Sequence, residues 1–325
     1  LIPLIAEYGR YDDVVALLDT KASNVAGQVI ANQLTEDVAN LEQGKSISLL
    51  AKWLPSENAS SYVTKKRAKK LIKGLGISPR EYRKTLVALR KALNILEQNM
   101  SQKTWEQVDY SALPSQAMLK HRQAFYRNDL GKYQGFLDSL VKNERGVKVN
   151  SGSLYPYQLV EKVIGGGGYY SQPVSAQDRV LYDQMWNALP NRVEGAENSI
   201  AVVDVSGSMT GTPMNVAISL GMYVAERNEG VFHNHFITFS NTPQLVEIVG
   251  KDFTEKVRNI EKADWGMSTN LESVFNLILT TAIKNKTPQE ELPTRLFIIS
   301  DMQFNSCVRG INGSEETFFR TMKRK

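Results

Sequence analysis

Asp204-Val205-Ser206-Gly207-Ser208 puts one carboxylate and two hydroxyls into a single short stretch. Hard oxygen donors grouped in this way suit a Mg²⁺-type divalent cation, which takes oxygen ligands and usually keeps several of its waters. By itself an Asp-x-Ser-x-Ser pattern arises by chance in about one chain in ten of this length, so its setting decides its weight. Two further oxygen donors stand where later strands and helices meet: Thr269, in Gly266-Met267-Ser268-Thr269-Asn270, and Asp301, directly after Arg295-Leu296-Phe297-Ile298-Ile299-Ser300. The plainer alternative makes Asp204 and Asp301 loop caps and the serines turn residues.

A second constellation is cationic. Residues 45–91 contain 13 Lys/Arg against only Glu57 and Glu81. Lys65, Lys66, Arg67, Lys69, Lys70 and Lys73 crowd one predicted helix, and Arg80, Arg83, Lys84, Arg90 and Lys91 follow on the next. A stripe of this kind neutralises phosphates and supplies sequence-independent affinity for nucleic acid. Trp53, Tyr62 and Tyr82 lie nearby and suit unpaired bases, although Tyr82 also fits the helix core pattern. The plainer alternative is a solvated helix face.

The elements that would position these groups fall into two classes. From residue 1 to about 146 apolar positions recur at three and four, as in short antiparallel helices. Ser78-Pro79-Arg80-Glu81 reads as a capping box with proline at the first helical position. Tyr82, Leu86, Leu89, Leu93 and Leu96 then line one face. In the preceding helix, about 60–73, Ala68, Leu71, Ile72 and Leu75 gather on one side and Lys66, Lys69, Lys70 and Lys73 on the other. Residues 148–172, with Pro156, Gly165–Gly168 and Tyr169-Tyr170, read as a linker, because no Gly-Lys-Ser/Thr follows the glycines. A helix over 175–188 leads onward.

From Asn198 the pattern changes to alternating strands and helices. Ser199–Asp204 is an apolar run suited to a buried parallel strand. A helix over 212–227, strands over 231–239 and 243–249, helices over 253–262 and 269–284, and a strand over 295–300 complete an open α/β sheet. In such sheets the ligand sits at the carboxyl ends of the strands, where Asp204 falls.

Asp204, Ser206, Ser208, Thr269 and Asp301 resemble the five positions of the metal-ion-dependent adhesion site of von Willebrand factor A domains. That resemblance runs from about 195 to the last residue. It implies a Rossmann-like A domain whose first-loop aspartate and serines bind Mg²⁺, or another divalent cation, directly or through water. Only 24 residues follow Asp301, so this domain is expected to be incomplete, and the chain, which opens on Leu1, to be an internal piece. Upstream, Tyr8-Gly9-Arg10-Tyr11-Asp12-Asp13, Lys52-Trp53-Leu54-Pro55-Ser56, Glu81-Tyr82-Arg83-Lys84 with Leu89-Arg90-Lys91, and Pro114-Ser115-Gln116-Ala117-Met118 resemble a family of uncharacterised proteins related to TROVE. That family is similar to the Ro autoantigen, whose helical repeats form a ring that binds small noncoding and misfolded RNAs.

The expectation is therefore a multidomain α plus α/β protein. A helical-repeat, TROVE-like domain spans 1–150, a Gly-rich linker and connecting helix 151–195, and an open α/β von Willebrand factor A domain 196–325. Residues 1–195 carry 26 basic and 19 acidic side chains against 13 and 15 in 196–325, so the helical part is the cationic one. The single Cys307 excludes an intramolecular disulfide and cysteine-based metal clusters, and suggests a reducing, cytoplasmic setting. No apolar run approaches the roughly 20 residues that span a bilayer. His121, His233 and His235 offer no legible nucleophile–base order. The function expected is a ribonucleoprotein component that holds small noncoding or misfolded RNA on the basic face, with Mg²⁺ in the A domain. The alternative is a metal-dependent adaptor that recruits an acidic protein ligand, and behind it a Mg²⁺-dependent nucleic-acid enzyme. Oligomerisation is left open.

Overall fold

A computed structural model of the protein describes residues 2–165, 173–193, 198–204, 206–240, 242–262 and 270–301. Thr269, Val205, Gly166–Gly168 with Tyr169-Tyr170, and Cys307 lie outside the described residues. The chain forms two compact units, 1–108 and 109–325.

The first unit is helical: α1 (Ile5–Tyr8), α2 (Tyr11–Ala16), α3 (Ser23–Glu42), α4 (Leu50–Trp53), α5 (Tyr62–Leu75), α6 (Pro79–Leu93) and α7 (Leu96–Gln102). Along α3, Ala26, Ile30, Leu34 and Asp37 are buried in one stripe at helical spacing. They pack with Leu50, Leu54, Leu71, Ile72, Tyr82, Leu86 and Leu89 in one core. Asp37 is a carboxylate in that core, and its burial is matched by donors: Ser48 N at 2.8 Å, Ser48 Oγ at 2.7 Å and Gln33 Nε2 at 3.2 Å. It pins the loop ahead of α4 to α3.

Local signals set the helix ends. The Ser61 side chain accepts from Thr64 N and starts α5, and Gly76, in the left-handed region at φ 67°, stops it. Ser78 caps α6 by accepting from Glu81 N at 3.1 Å, with Pro79 in the first turn. Asn94, at φ 45°, ends α6, so Leu96 belongs to the next helix rather than to the α6 stripe.

The second unit carries α8 (Ser115–Asn128), α9 (Leu130–Val141), α10 (Pro156–Ile164) and α11 (Ala176–Asn187), followed by the α/β part. Strands β1 (Ser199–Val203), β2 (His235–Thr238), β3 (Leu245–Glu247) and β4 (Arg295–Ile299) form a mixed sheet in the order β3-β2-β1-β4. β1 runs parallel to both β2 and β4, with Ala201 opposite Phe236 and Phe297, and β3 returns antiparallel along β2. Helices α12 (Thr212–Arg227), α13 (Phe253–Glu261) and α14 (Leu271–Asn285) connect the strands. Every residue of β1 is buried, as a central strand covered on both faces requires.

Gly221 allows α12 to close on that strand. A Cβ built there would stand 2.4 Å from Val203 Cγ2, closer than packed atoms approach. Gly221→Ala is therefore expected to lower stability by about 1–3 kcal/mol through overpacking, although alanine is the better helix former. A urea midpoint equal to that of the native protein would contradict this.

The unit boundary falls at Val108/Asp109, whereas the sequence pattern suggested a break at 150 and a linker over 151–195. The reason lies in what α10 and α11 bury. Leu159, Val160 and Val163 of α10 are buried, and α10 lies against α12 and α13. In α11, Trp186 stacks on Phe253 with ring centroids 4.6 Å apart, while Glu226 accepts from its indole and from Lys256 Nζ. Arg179 pairs with Asp252, and Asp183 accepts from Phe253 N at 3.0 Å at the start of α13. Helices α10 and α11 thus share a core with the sheet-bearing part. β2 also starts later than its apolar pattern suggests, because 231–234 form turns that end on Asn234 at φ 59°.

Candidate metal site and basic face

Asp204 follows β1 directly and stays in the sheet's hydrogen-bond pattern, its N–H donating to Ile299 O at 3.0 Å. That bond sets the carboxylate between the ends of β2 and β4. The side chain has no exposure. Its Oδ1 accepts from Ser206 N at 2.9 Å, which closes the loop into an Asx turn, and its Oδ2 accepts from Ser300 Oγ at 2.6 Å. Ser206 Oγ lies 3.1 Å from Ser208 Oγ. Ser206 is buried and Ser208 exposed, so the oxygens run from the core to the surface.

The structure thus brings Asp204, Ser206 and Ser208 into one cluster and sets β4, with Asp301 two residues past Ile299, beside it. Asp301 is exposed. Ser300 is a member that the sequence reading did not name. Its signal was available: in a parallel pair, the residue that ends one strand stands beside the residue that ends its neighbour. Among the described residues no three His, Cys, Asp or Glu gather into a metal-binding group. A cation here would rely on hydroxyls and on the buried Asp204 carboxylate, an all-oxygen set that fits Mg²⁺ chemistry. Two of the histidines face backbone carbonyls: His233 Nδ1 lies 2.8 Å from Asn228 O, and His235 Nδ1 2.7 Å from His233 O.

In the first unit the cations divide into two groups. Arg90 is half-buried. Its guanidinium donates to Ala51 O at 2.9 Å, Leu54 O at 2.7 Å and Ser56 Oγ at 2.9 Å, and so caps the carbonyl end of α4. Burial pushes its pKa down from the ordinary arginine value. Three of its five N–H donors thus go to acceptors of its own chain, which sets Arg90 apart from the exposed cations expected to meet RNA. Arg67 pairs with Asp19, Arg83 pairs with Glu57, and Lys70 donates to Leu18 O.

Lys65, Lys66, Lys69, Lys73, Arg80, Lys84 and Lys91 are all exposed, and none of them has an ion-pair partner among the described residues. The aromatics divide in the same way. Tyr82 is fully buried and donates to Pro55 O at 2.9 Å, and burial drives its phenol pKa far up. It is a core residue and no base platform. Trp53 sits beneath the Arg10 and Lys52 cations, 5.4 and 5.6 Å from its ring centroid. Tyr62, at the start of α5, is 79% exposed, which leaves it as the ring on the lysine-bearing helix that a base can reach.

The chain is similar to two families, both described as a domain of unknown function: DUF2828 over residues 64–198 and DUF7788 over residues 198–325. The junction between these matches falls at the start of β1. Uncharacterized protein L728 of Acanthamoeba polyphaga mimivirus is 38% identical over 316 residues, which cover 90% of this chain and 52% of that protein. The chain thus spans about half the length of the curated relative it matches. No solved structure shows a significant match.

Proposed function

We propose that the protein is an RNA-binding ribonucleoprotein component. Its first unit holds small noncoding or misfolded RNA on the exposed cations of α5 and α6, and its second unit holds a Mg²⁺-type ion at the end of β1. The observation that carries the reading is the segregation of charge on α5. Ala68, Leu71 and Ile72 are buried, while Lys65, Lys66, Lys69, Lys70 and Lys73 are exposed on the same helix, and Tyr62 opens that helix. Phosphates meet the lysines and an unpaired base stacks on the ring. The resemblance to TROVE-related proteins supports RNA as the polyanion.

Two features support the von Willebrand factor A reading of the second unit: parallel β2-β1-β4 pairing, and a buried Asp204 with Ser206 and Ser208 at the carboxyl end of the central strand. Asp204, Ser206 and Ser208, with Asp301 and Thr269, would hold the ion. When bound, the ion supplies a positive centre for an acidic group. The exposure of Ser208 beside the buried carboxylate favours a second reading, in which that centre recruits an acidic protein ligand. Titration of labelled RNA in a salt series tests the first reading. Affinity is expected to fall steeply with salt, and an absence of binding at low salt would leave the adaptor reading in its place.

A further inference from the structure

The first unit has a cleft of about 430 Å³ between α3 and α5. Lys70 and Lys73 stand on its α5 wall, and the carboxamides of Asn24 and Gln28 stand on its α3 wall. From this arrangement we infer that the cleft is a binding site for a nucleoside phosphate, either one nucleotide of an RNA strand or a free mononucleotide. The inference rests on the RNA-binding reading of the α5 face and assigns it a seat.

The lining matches that chemistry wall by wall. The Lys70 ammonium donates to Leu18 O, which fixes its position at the cleft and leaves further donors for a phosphate. Lys73 is exposed and adds a second cation one helical turn on. Gln28 Nε2 donates to Asn32 Oδ1 at 3.2 Å, so that its carbonyl oxygen and remaining N–H stay available. Carboxamides pair a donor with an acceptor, the pattern that reads base edges. Leu71 and Leu75 supply apolar surface for the sugar and base. A lone phosphate is far smaller than this cleft, whose volume lies in the range of small-ligand sites.

Two glycines keep this cleft open. Gly27 and Gly74 lie inside α3 and α5 and line the cleft from opposite walls. Neither has a positive φ, and a Cβ at either would meet no atom within 4 Å. Glycine costs a helix stability relative to alanine, and no turn or close contact within the chain requires it at these two positions. What the missing side chains provide is open space between the lysines and the carboxamides.

The test fills the cleft without changing charge. Gly27→Leu and Gly74→Leu in the full chain would be titrated with a labelled oligouridylate, a blunt RNA duplex and free AMP, alongside thermal melts. Each substitution is expected to weaken oligouridylate binding about 10-fold. The salt slope should stay constant because the lysines remain, duplex binding should be unchanged, and the melting temperature should stay level or rise. Displacement of the oligouridylate by AMP, lost in both variants, would identify a free nucleotide as ligand; no displacement would identify an RNA segment. Undiminished oligouridylate binding in both variants would overturn the cleft and leave the RNA reading standing. AMP binding sensitive to Gly27→Leu in a protein that binds no RNA would do the reverse. A native chain that binds none of the three probes would overturn both.

Discussion

Mg²⁺ is expected to raise the melting temperature of the native protein, and Asp204→Ala to abolish that rise. A ligand that binds only the folded state stabilises it by about 2.7 kcal/mol at 100 times its Kd. For a unit of this size that corresponds to roughly 5–10 °C. Among the proposed ligands, Asp204 is the one whose loss should matter most, because its carboxylate is the buried one of the cluster. The substitution also removes the acceptor that Asp204 offers the Ser206 N–H and the Ser300 hydroxyl, at a cost of about 1–3 kcal/mol. The variant should therefore melt lower even without metal. The informative quantity is the difference between melts with and without Mg²⁺. Ser208→Ala separates the two effects, since Ser208 is exposed: stability without metal should hardly change, while the Mg²⁺ shift should shrink. A full shift in both variants would remove the ion from this loop.

The second large effect is expected on the first unit. Replacing Lys65, Lys66, Lys69 and Lys73 together by alanine takes four cations from the α5 face. The slope of log affinity against log salt should become shallower by about 3 to 4, and affinity at moderate salt should fall on the order of 100-fold. These side chains are exposed, so stability should change little, by about 0.5 kcal/mol per site at most. Arg90→Ala provides the contrast. It removes three hydrogen bonds at the end of α4 and should destabilise the protein by about 2–3 kcal/mol, yet leave the salt slope alone. If Arg90→Ala flattened the slope and the quadruple alanine variant did not, the RNA contact would lie elsewhere.

The contrast between Arg90 and its neighbours shows where the amino-acid sequence was legible. The lysines of α5 could be assigned to the outer face, because the 3.6-residue period places them opposite Ala68, Leu71 and Ile72. Arg90 follows the same charge pattern but stands beside Leu89 on the inner side of α6, and its partners Ala51, Leu54 and Ser56 are more than thirty positions away. No local pattern announces a contact of that span. The same limit hid the packing of α11. Its span was readable, and the helix runs Ala176–Asn187 as anticipated, but Trp186 meeting Phe253 and Glu226 is a tertiary event. The Gly-rich segment before it suggested a hinge, and composition carries no information about which helices then share a core.

In the α/β part, α12 was legible to the residue, from Thr212 to Arg227. β2 was not, because Val231 and Phe232 continue its apolar run while the backbone at Asn234 is left-handed. At the candidate site, Asp204, Ser206 and Ser208 could be chosen from spacing alone, and they do gather. Ser300 was passed over although it ends the strand pattern over 295–300, because its hydroxyl falls outside the Asp-x-Ser-x-Ser spacing and meets Asp204 only through the β1/β4 pairing.

The central claim is that the α5 face binds RNA through phosphate neutralisation and takes up unpaired nucleotides. Fluorescence anisotropy of the native protein with two labelled RNAs, one duplex with a single-stranded 3′ tail and one blunt, across a salt series, tests it most directly. Salt-steep binding to both is expected, with preference for the tailed RNA. Equal affinity for tailed and blunt RNA would contradict the uptake of unpaired nucleotides, and failure to bind either would contradict the claim as a whole.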